Sequence, residues 1–271
     1  MLKKKVKMYN GVEIPVIGLG TWQLPDYEAA GVCKEAIDVG YIHIDSASAY
    51  ENECGVGEGI RQSGIKREDI FITTKIPAEI KDYEGAKAII QQSLQRLGVS
   101  YIDLMIIHCP IPWALYHQGV RSGYDEANVA VYRALEEAYD RGELRSIGVS
   151  NFDVHDLENT MEHCRVKPMI NQIPWFIGRR NEAVKEYCKK HEILVESYSP
   201  LGTGRLLCQP LIVEMAEKYH VTPAQLCIKF ALMDVDITLP KTTHRERMIE
   251  NAQLDFEISS EDFDKLKQAK F

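Results

Sequence analysis

LMIIH, residues 104–108, is four apolar side chains in a row closed by an imidazole. A continuous apolar run too short for a helix reads as a strand covered on both faces, which is the habit of parallel sheets flanked by helices. Seven further runs of this kind are spread along the 271 residues, at 16–19, 41–45, 70–74, 146–149, 169–172, 193–198 and 237–239. Between them lie segments of helical period. In EGAKAIIQQSLQRLG (84–98), Ala86, Ile90, Leu94 and Leu97 share one face and Gly98 supplies a helix stop. VYRALEEAYDRG (131–142) does the same with Val131, Leu135, Ala138 and Tyr139, stopped by Gly142. Asp153 stands where an N-cap belongs, before VHDLENTMEHC.

Eight strand–helix units average about 34 residues each, the size of one βαβ step. The expected fold is therefore an α/β protein, a (β/α)8 TIM barrel forming one domain over residues 1–271. VKMYNGVEIPV (6–16) alternates around Asn10-Gly11, the signature of a type I′ turn, and predicts an N-terminal β-hairpin. Charged helical patterns near 245–252 and 259–268 predict extra C-terminal helices. A doubly wound open sheet is the competing architecture, but its dinucleotide fingerprint is incomplete. GLGTWQ (18–23) has Gln23 in place of the third glycine, and GVGEGI (55–60) sits in a helical stretch, where glycines serve close helix packing.

Composition narrows the function. Net charge is −8 with both signs interspersed, so no basic face for nucleic acid stands out, and Lys3-Lys4-Lys5 reads as a solvated terminus. The seven cysteines contain no CxxC, which fits reduced thiols better than a disulfide or zinc framework. No run of 18 apolar residues and no leader-like apolar segment is present. The expectation is a cytoplasmic protein.

A barrel gathers its chemistry at the C-terminal ends of its strands. There the chain places Asp45, followed by Tyr50, then Lys75, then His108. An ammonium about 4 Å from a phenol is worth roughly 4 kcal/mol at an effective dielectric near 20, or about three pKa units before desolvation, so Lys75 is expected to lower the Tyr50 pKa. Asp45 would keep Lys75 charged, and His108 could orient a carbonyl. Together they form a general acid for an oxygen whose carbon accepts electrons. Taken singly, a strand-end lysine is ordinarily solvated and a lone histidine ordinarily a satisfied core group. A Schiff-base lysine in an aldolase-type barrel is also compatible with these residue types. Later strand ends offer Ser150 and Asn151, then Gln172, then Tyr198 with a small glycine-containing loop, then Lys241, Thr242 and Arg247 at a helix start. Amides, an aromatic plate and a cationic pocket suit a nicotinamide dinucleotide carrying an extra phosphate.

At this point the chain closely resembles the aldo-keto reductase family over nearly its whole length. The motifs are GLGTW (18–22), HIDSASAYENECGVGEGI (43–60), TTK (73–75), IIHCP (106–110), RSIGVSNF (145–152), NQIPW (171–175), YSPLG (198–202) and LPKTTHRERMIEN (239–251). The resemblance implies NADPH-dependent, reversible reduction of small aldehydes or ketones without a Rossmann fold. It implies a catalytic tetrad of Tyr50, Lys75, Asp45 and His108, with Tyr50 the proton donor. For the cofactor it implies Gly20, Thr21, Trp22 and Asp45, with Ser150, Asn151 and Gln172 at the carboxamide and Tyr198 on the ring. Ser199, Leu201 and Gly202 would line the pyrophosphate loop, Lys241, Thr242 and Arg247 the 2′-phosphate, and Glu250 and Asn251 the adenine. Trp22, Tyr50, His108 and Trp113 are the expected substrate wall.

The departures are three. Cys109 follows the histidine where many members have tryptophan, Thr242 replaces a frequent serine, and the chain ends at Phe271 without a long closing loop. That length is similar to short microbial members, the diketogluconate and general aldehyde reductases, and a monomer is implied. A barrel kept only for cofactor binding, in a regulatory or structural role, is the rival from another class.

Overall fold

The computed structural model describes residues 1–271. A two-stranded antiparallel hairpin, β1 (Lys5–Lys7) and β2 (Glu13–Pro15), precedes the barrel. Its turn differs from the expected type I′. Gly11 has φ +89° but Asn10 does not enter the left-handed region. Met8 N–H bonds to Val12 O, while Gly11 N–H bonds to Met8 O. The loop is thus three residues long, and the Asn10 side chain accepts from Val12 N–H at 3.1 Å. One left-handed residue is enough for that loop, whereas type I′ needs two.

The eight expected strands all form: β3 (Leu19–Gly20), β4 (His43–Asp45), β5 (Phe71–Ile76), β6 (Leu104–Ile107), β7 (Ile147–Ser150), β8 (Ile170–Pro174), β9 (Leu194–Tyr198) and β10 (Ile237–Leu239). They pair in chain order and in parallel. A parallel bridge between Ile17 and Thr238 joins the last strand to the first and rings the barrel. β3 is short because its chain pairs with β10 mainly through Gly18 N–H to Thr238 O and Gly20 N–H to Pro240 O.

The helices α1 (Asp26–Val39), α2 (Glu53–Ser63), α3 (Tyr83–Leu97), α4 (Trp113–His117), α5 (Asp125–Asp140), α6 (Val154–His163), α7 (Glu182–Lys190), α8 (Pro210–Lys218), α9 (Pro223–Asp234), α10 (Arg245–Ala252) and α11 (Ser260–Gln268) surround it. Their ends follow the sequence signals. Asp82 accepts from Gly85 N–H at the start of α3, and Gly98 closes it at φ +67°. Asp153 and Asp156 form a reciprocal capping box on α6. The glycines of α2 serve packing as expected: a Cβ on Gly57 would lie 2.2 Å from Leu97 O.

Alternation along each strand sets what faces inward. Thr73 and Lys75 bond to groups inside the barrel, while Thr74 between them bonds outward to Glu53 of α2 at 2.6 Å. Gln172 turns inward, whereas Asn171 beside it reaches Phe152 O and Cys188 of α7. The layer between strands and helices is apolar, with Ile44, Ile72, Met105 and Ile107 fully buried. No helix is long and apolar enough to cross a membrane.

Candidate active site

Asp45 ends β4, Lys75 lies in β5 and His108 directly follows β6, so adjacent strands bring the three side chains to one mouth. Lys75 has no solvent exposure. Its Nζ donates to Asp45 Oδ1 and to Ser46 O, both at 2.7 Å. Burial alone would strip its proton, but the Asp45 carboxylate reverses the sign and holds its pKa above the ordinary lysine value. Tyr50 closes a 3-10 turn, Ser48–Tyr50, which folds back so that Lys75 Nζ stands 5.1 Å from its ring centroid. Its ring meets His108 edge-on at 5.5 Å.

The Tyr50 pKa moves opposite to expectation. It is raised, because burial of the phenolate outweighs the Lys75 ammonium and Asp45 opposes ionisation further. The cation that was to lower it is already answered by a carboxylate at 2.7 Å. Tyr50 therefore rests as a phenol, an acid in waiting. Burial, then the Lys75 charge, drives the His108 pKa well below the usual histidine value, so its imidazole is neutral.

Struts that sequence reasoning missed hold this group. Asn52 is buried; its Nδ2 donates to Thr21 O and Leu24 O, and its Oδ1 accepts from Ser46. Arg96 on α3 bonds to both Glu53 and Ser48, tying α2 and α3 to the Tyr50 turn. Thr21 is fully buried and spends its hydroxyl on Asp45 O at 2.9 Å, which directs it to the barrel. Gly20 and the half-exposed Trp22 flank it at the rim.

Deeper in, Glu196 is fully buried and accepts from Gln172 Nε2 at 2.7 Å. The same Nε2 donates to Asp45 Oδ2 at 2.9 Å. Lys75, Asp45, Gln172 and Glu196 thus form one continuous chain across the barrel. Glu196 was legible in principle: in LVESY it lies two residues before Tyr198, hence on the same inward face.

The expected carboxamide residues come together. Asn151, at φ +61°, donates Nδ2 to His108 O and Ser150 Oγ and accepts from Tyr198 Oη at 2.8 Å. Ser150 donates to Gln172 O. With those protons spent, acceptor capacity remains at Gln172 Oε1, which fits an amide N–H donor. After β9, Ser199, Gly202, Thr203 and Gly204 all have positive φ, turning successive amides into a concavity for an anion, with Leu201 among them. Lys241 and Arg247 are exposed without an acidic partner, beside the uncapped N-terminus of α10 and next to Thr242. This fits a phosphate. Glu250 is already held by Thr222 Oγ1 at 2.7 Å, and Asn251 is buried beside it.

The loop after β6 replaces what its sequence lacks. Trp113, the first residue of α4, meets the His108 ring edge-on at 5.3 Å and stacks on His117 at 5.6 Å. An indole therefore covers the imidazole although Cys109 follows it in the chain.

Comparison with known proteins identifies the family. The sequence model of the Aldo/keto reductase family matches residues 16–270. Glyoxal reductase of Bacillus subtilis is 41% identical over 267 residues, covering 98% of this chain and 92% of that protein. The crystal structure of an aldo/keto reductase from Brucella melitensis superposes with a TM-score of 0.89 at 35% identity, covering 97% of this chain and 98% of that one. A Gox0644 mutant solved in complex with NADPH gives 0.87 at 34%, covering 98% and 93%. The chain belongs to the aldo/keto reductase family.

Proposed function

We propose that the protein reduces small aldehydes or ketones to alcohols with NADPH, reversibly, using Tyr50 as the proton donor. The observation that carries this reading is the fully buried Lys75, paired with Asp45 and 5.1 Å from the Tyr50 ring. NADPH, when bound, supplies the hydride for the carbonyl carbon. Everything else falls to the chain. Neutral His108 donates an N–H to the carbonyl oxygen and fixes its lone pair towards Tyr50. Tyr50 gives its proton as negative charge grows on that oxygen. Lys75, held charged by Asp45, stabilises the phenolate left behind, and its pull matters most when that charge exists.

Ser150, Asn151 and Gln172 would meet the carboxamide, Tyr198 the ring, and the loop of Ser199, Leu201 and Gly202 the pyrophosphate. Lys241, Thr242 and Arg247 would take the 2′-phosphate, with Glu250 and Asn251 towards the adenine. Gly20 and Trp22 edge the cavity, and Trp22 and Trp113 wall the substrate. The relative named glyoxal reductase supports a small, reactive carbonyl. Seven unpaired cysteines fit a reducing, cytoplasmic setting. The Schiff-base alternative fares worse, because an ammonium engaged by Asp45 and Ser46 O with a raised pKa is a poor amine nucleophile.

The test is glyoxal-dependent loss of NADPH absorbance in wild type and Tyr50→Phe. The variant should lose about 10²–10⁴-fold in turnover while quenching of tryptophan fluorescence by NADPH stays unchanged. Full turnover in the variant would remove Tyr50 from the mechanism.

A further inference from the structure

Gln172 and Glu196 are direct register partners on β8 and β9, so both side chains leave the sheet on the same inner face. The Gln172 amide is unusual in having Nε2 fixed from two sides, by Glu196 Oε2 at 2.7 Å and by Asp45 Oδ2 at 2.9 Å. A primary amide has two N–H donors and one carbonyl acceptor. With both donors committed, the amide cannot flip without facing its oxygen towards two carboxyl groups. Asp45 Oδ2 holds only one of the two donors, and Glu196 Oε2 supplies the second restraint.

The surroundings of Glu196 are specific. His43 Nε2 lies 3.9 Å from Oε1 and is itself engaged with Thr73 Oγ1 at 3.0 Å. Asp45 on β4 and Lys75 on β5 are the other charged groups that act on it. On β10 its register partner is the apolar Ile237, and Glu196 Oε1 has no hydrogen-bond partner. Burial, then the Asp45 charge, raises the Glu196 pKa to about 8. A neutral carboxyl still accepts from Gln172 and leaves the Lys75–Asp45 pair as the only full charges.

We propose, resting on the cofactor reading above, that Glu196 is a positioning residue for the nicotinamide carboxamide: it locks the Gln172 amide so that only Oε1 is left to receive a carboxamide N–H. Glu196 touches no reacting atom. It acts through Gln172 and sets the rotation of the nicotinamide about its ribose, and hence which ring face meets the carbonyl.

The experiment compares the binding of NADPH and of its reduced 3-acetylpyridine counterpart, which lacks the carboxamide N–H donors, by quenching of tryptophan fluorescence. One hydrogen bond to Oε1 should make wild type prefer NADPH by about five- to tenfold. Glu196→Met, close in volume but without an acceptor, should lose this preference, and so should Glu196→Thr, too short to reach Gln172. Glu196→Gln, which keeps an acceptor for Gln172, should restore it. Urea unfolding of each variant confirms that the barrel is intact. A preference that survives both Met and Thr overturns the proposal alone. Wild type that binds neither dinucleotide overturns the cofactor reading and this proposal with it.

Discussion

At the scale of single residues, Lys75 carries two separable duties. It balances a buried carboxylate, and in the proposed mechanism it supports the phenol that gives up a proton. Removing one partner of a buried pair leaves the other uncompensated, at a cost of about 3–5 kcal/mol. Lys75→Met should therefore lower both stability and turnover. Adding Asp45→Asn removes the stranded charge, so the double variant should recover most of the stability, read by urea unfolding, but none of the turnover. Recovery of both would mean that the pair is only structural. The four residues of this site were visible in the sequence because each ends or follows an apolar strand. Their supports were not. Asn52, Glu53 and Arg96 act through contacts between residues up to 48 positions apart, and no local pattern encodes those. The raised Tyr50 pKa was also illegible, because the balance of burial against charge needs coordinates.

At the scale of elements, strand existence was read well because a parallel strand covered on both faces must be apolar throughout. Ends were read less well. β5 runs two residues past the expected end at Thr74, since Lys75 and Ile76 pair with Ile106 and Ile107. The hairpin turn was misjudged because Asn-Gly fits two loop lengths, and cross-strand bonds at Met8 and Val12 choose between them. α4 gave no periodic signal, being five residues long, yet it delivers Trp113 to His108. α10 is the element whose proposed role follows most directly from its end. Its first turn has no side-chain cap, and Arg247 lies in it with no acidic partner. Arg247→Ala should weaken NADPH by about tenfold or more and leave NADH, which has no 2′-phosphate, nearly unchanged. Equal losses in fluorescence titrations would place the phosphate elsewhere.

At the scale of the whole molecule, the polar interior of the barrel fixes how stability depends on pH. Burial, opposed in part by Pro15 and aided by the Lys75 charge, lowers the His43 pKa from 6.5 to about 3, and His108 is lowered as well. Groups depressed in this way bind fewer protons folded than unfolded, so their contribution is complete above about pH 6.5 and is lost as pH falls towards 3. Glu196 and Asp156 act in the opposite sense. Burial raises Glu196 from 4.5 to about 8 and Asp156 from 3.8 to about 7. Their contribution is complete below about pH 4 and is lost as pH rises through those values. Between about pH 4.5 and 6.5 the two sets oppose each other, so stability should be greatest and nearly flat there. Above 6.5 the carboxyls still titrate, and stability should fall by at most about 1.4 kcal/mol per pH unit for each. Lys81, lowered by burial to about 8, opposes this fall only from about pH 8 upwards. From pH 7 to 8 the slope belongs mainly to Glu196. Urea unfolding at pH 5.5, 7 and 8 should therefore show wild type losing stability across the last interval. Glu196→Gln, which mimics the neutral carboxyl at every pH, should lose little. A wild type that gains stability up to pH 8 would mean that Glu196 is already ionised at neutrality, and that the barrel holds a second buried anion beside Asp45.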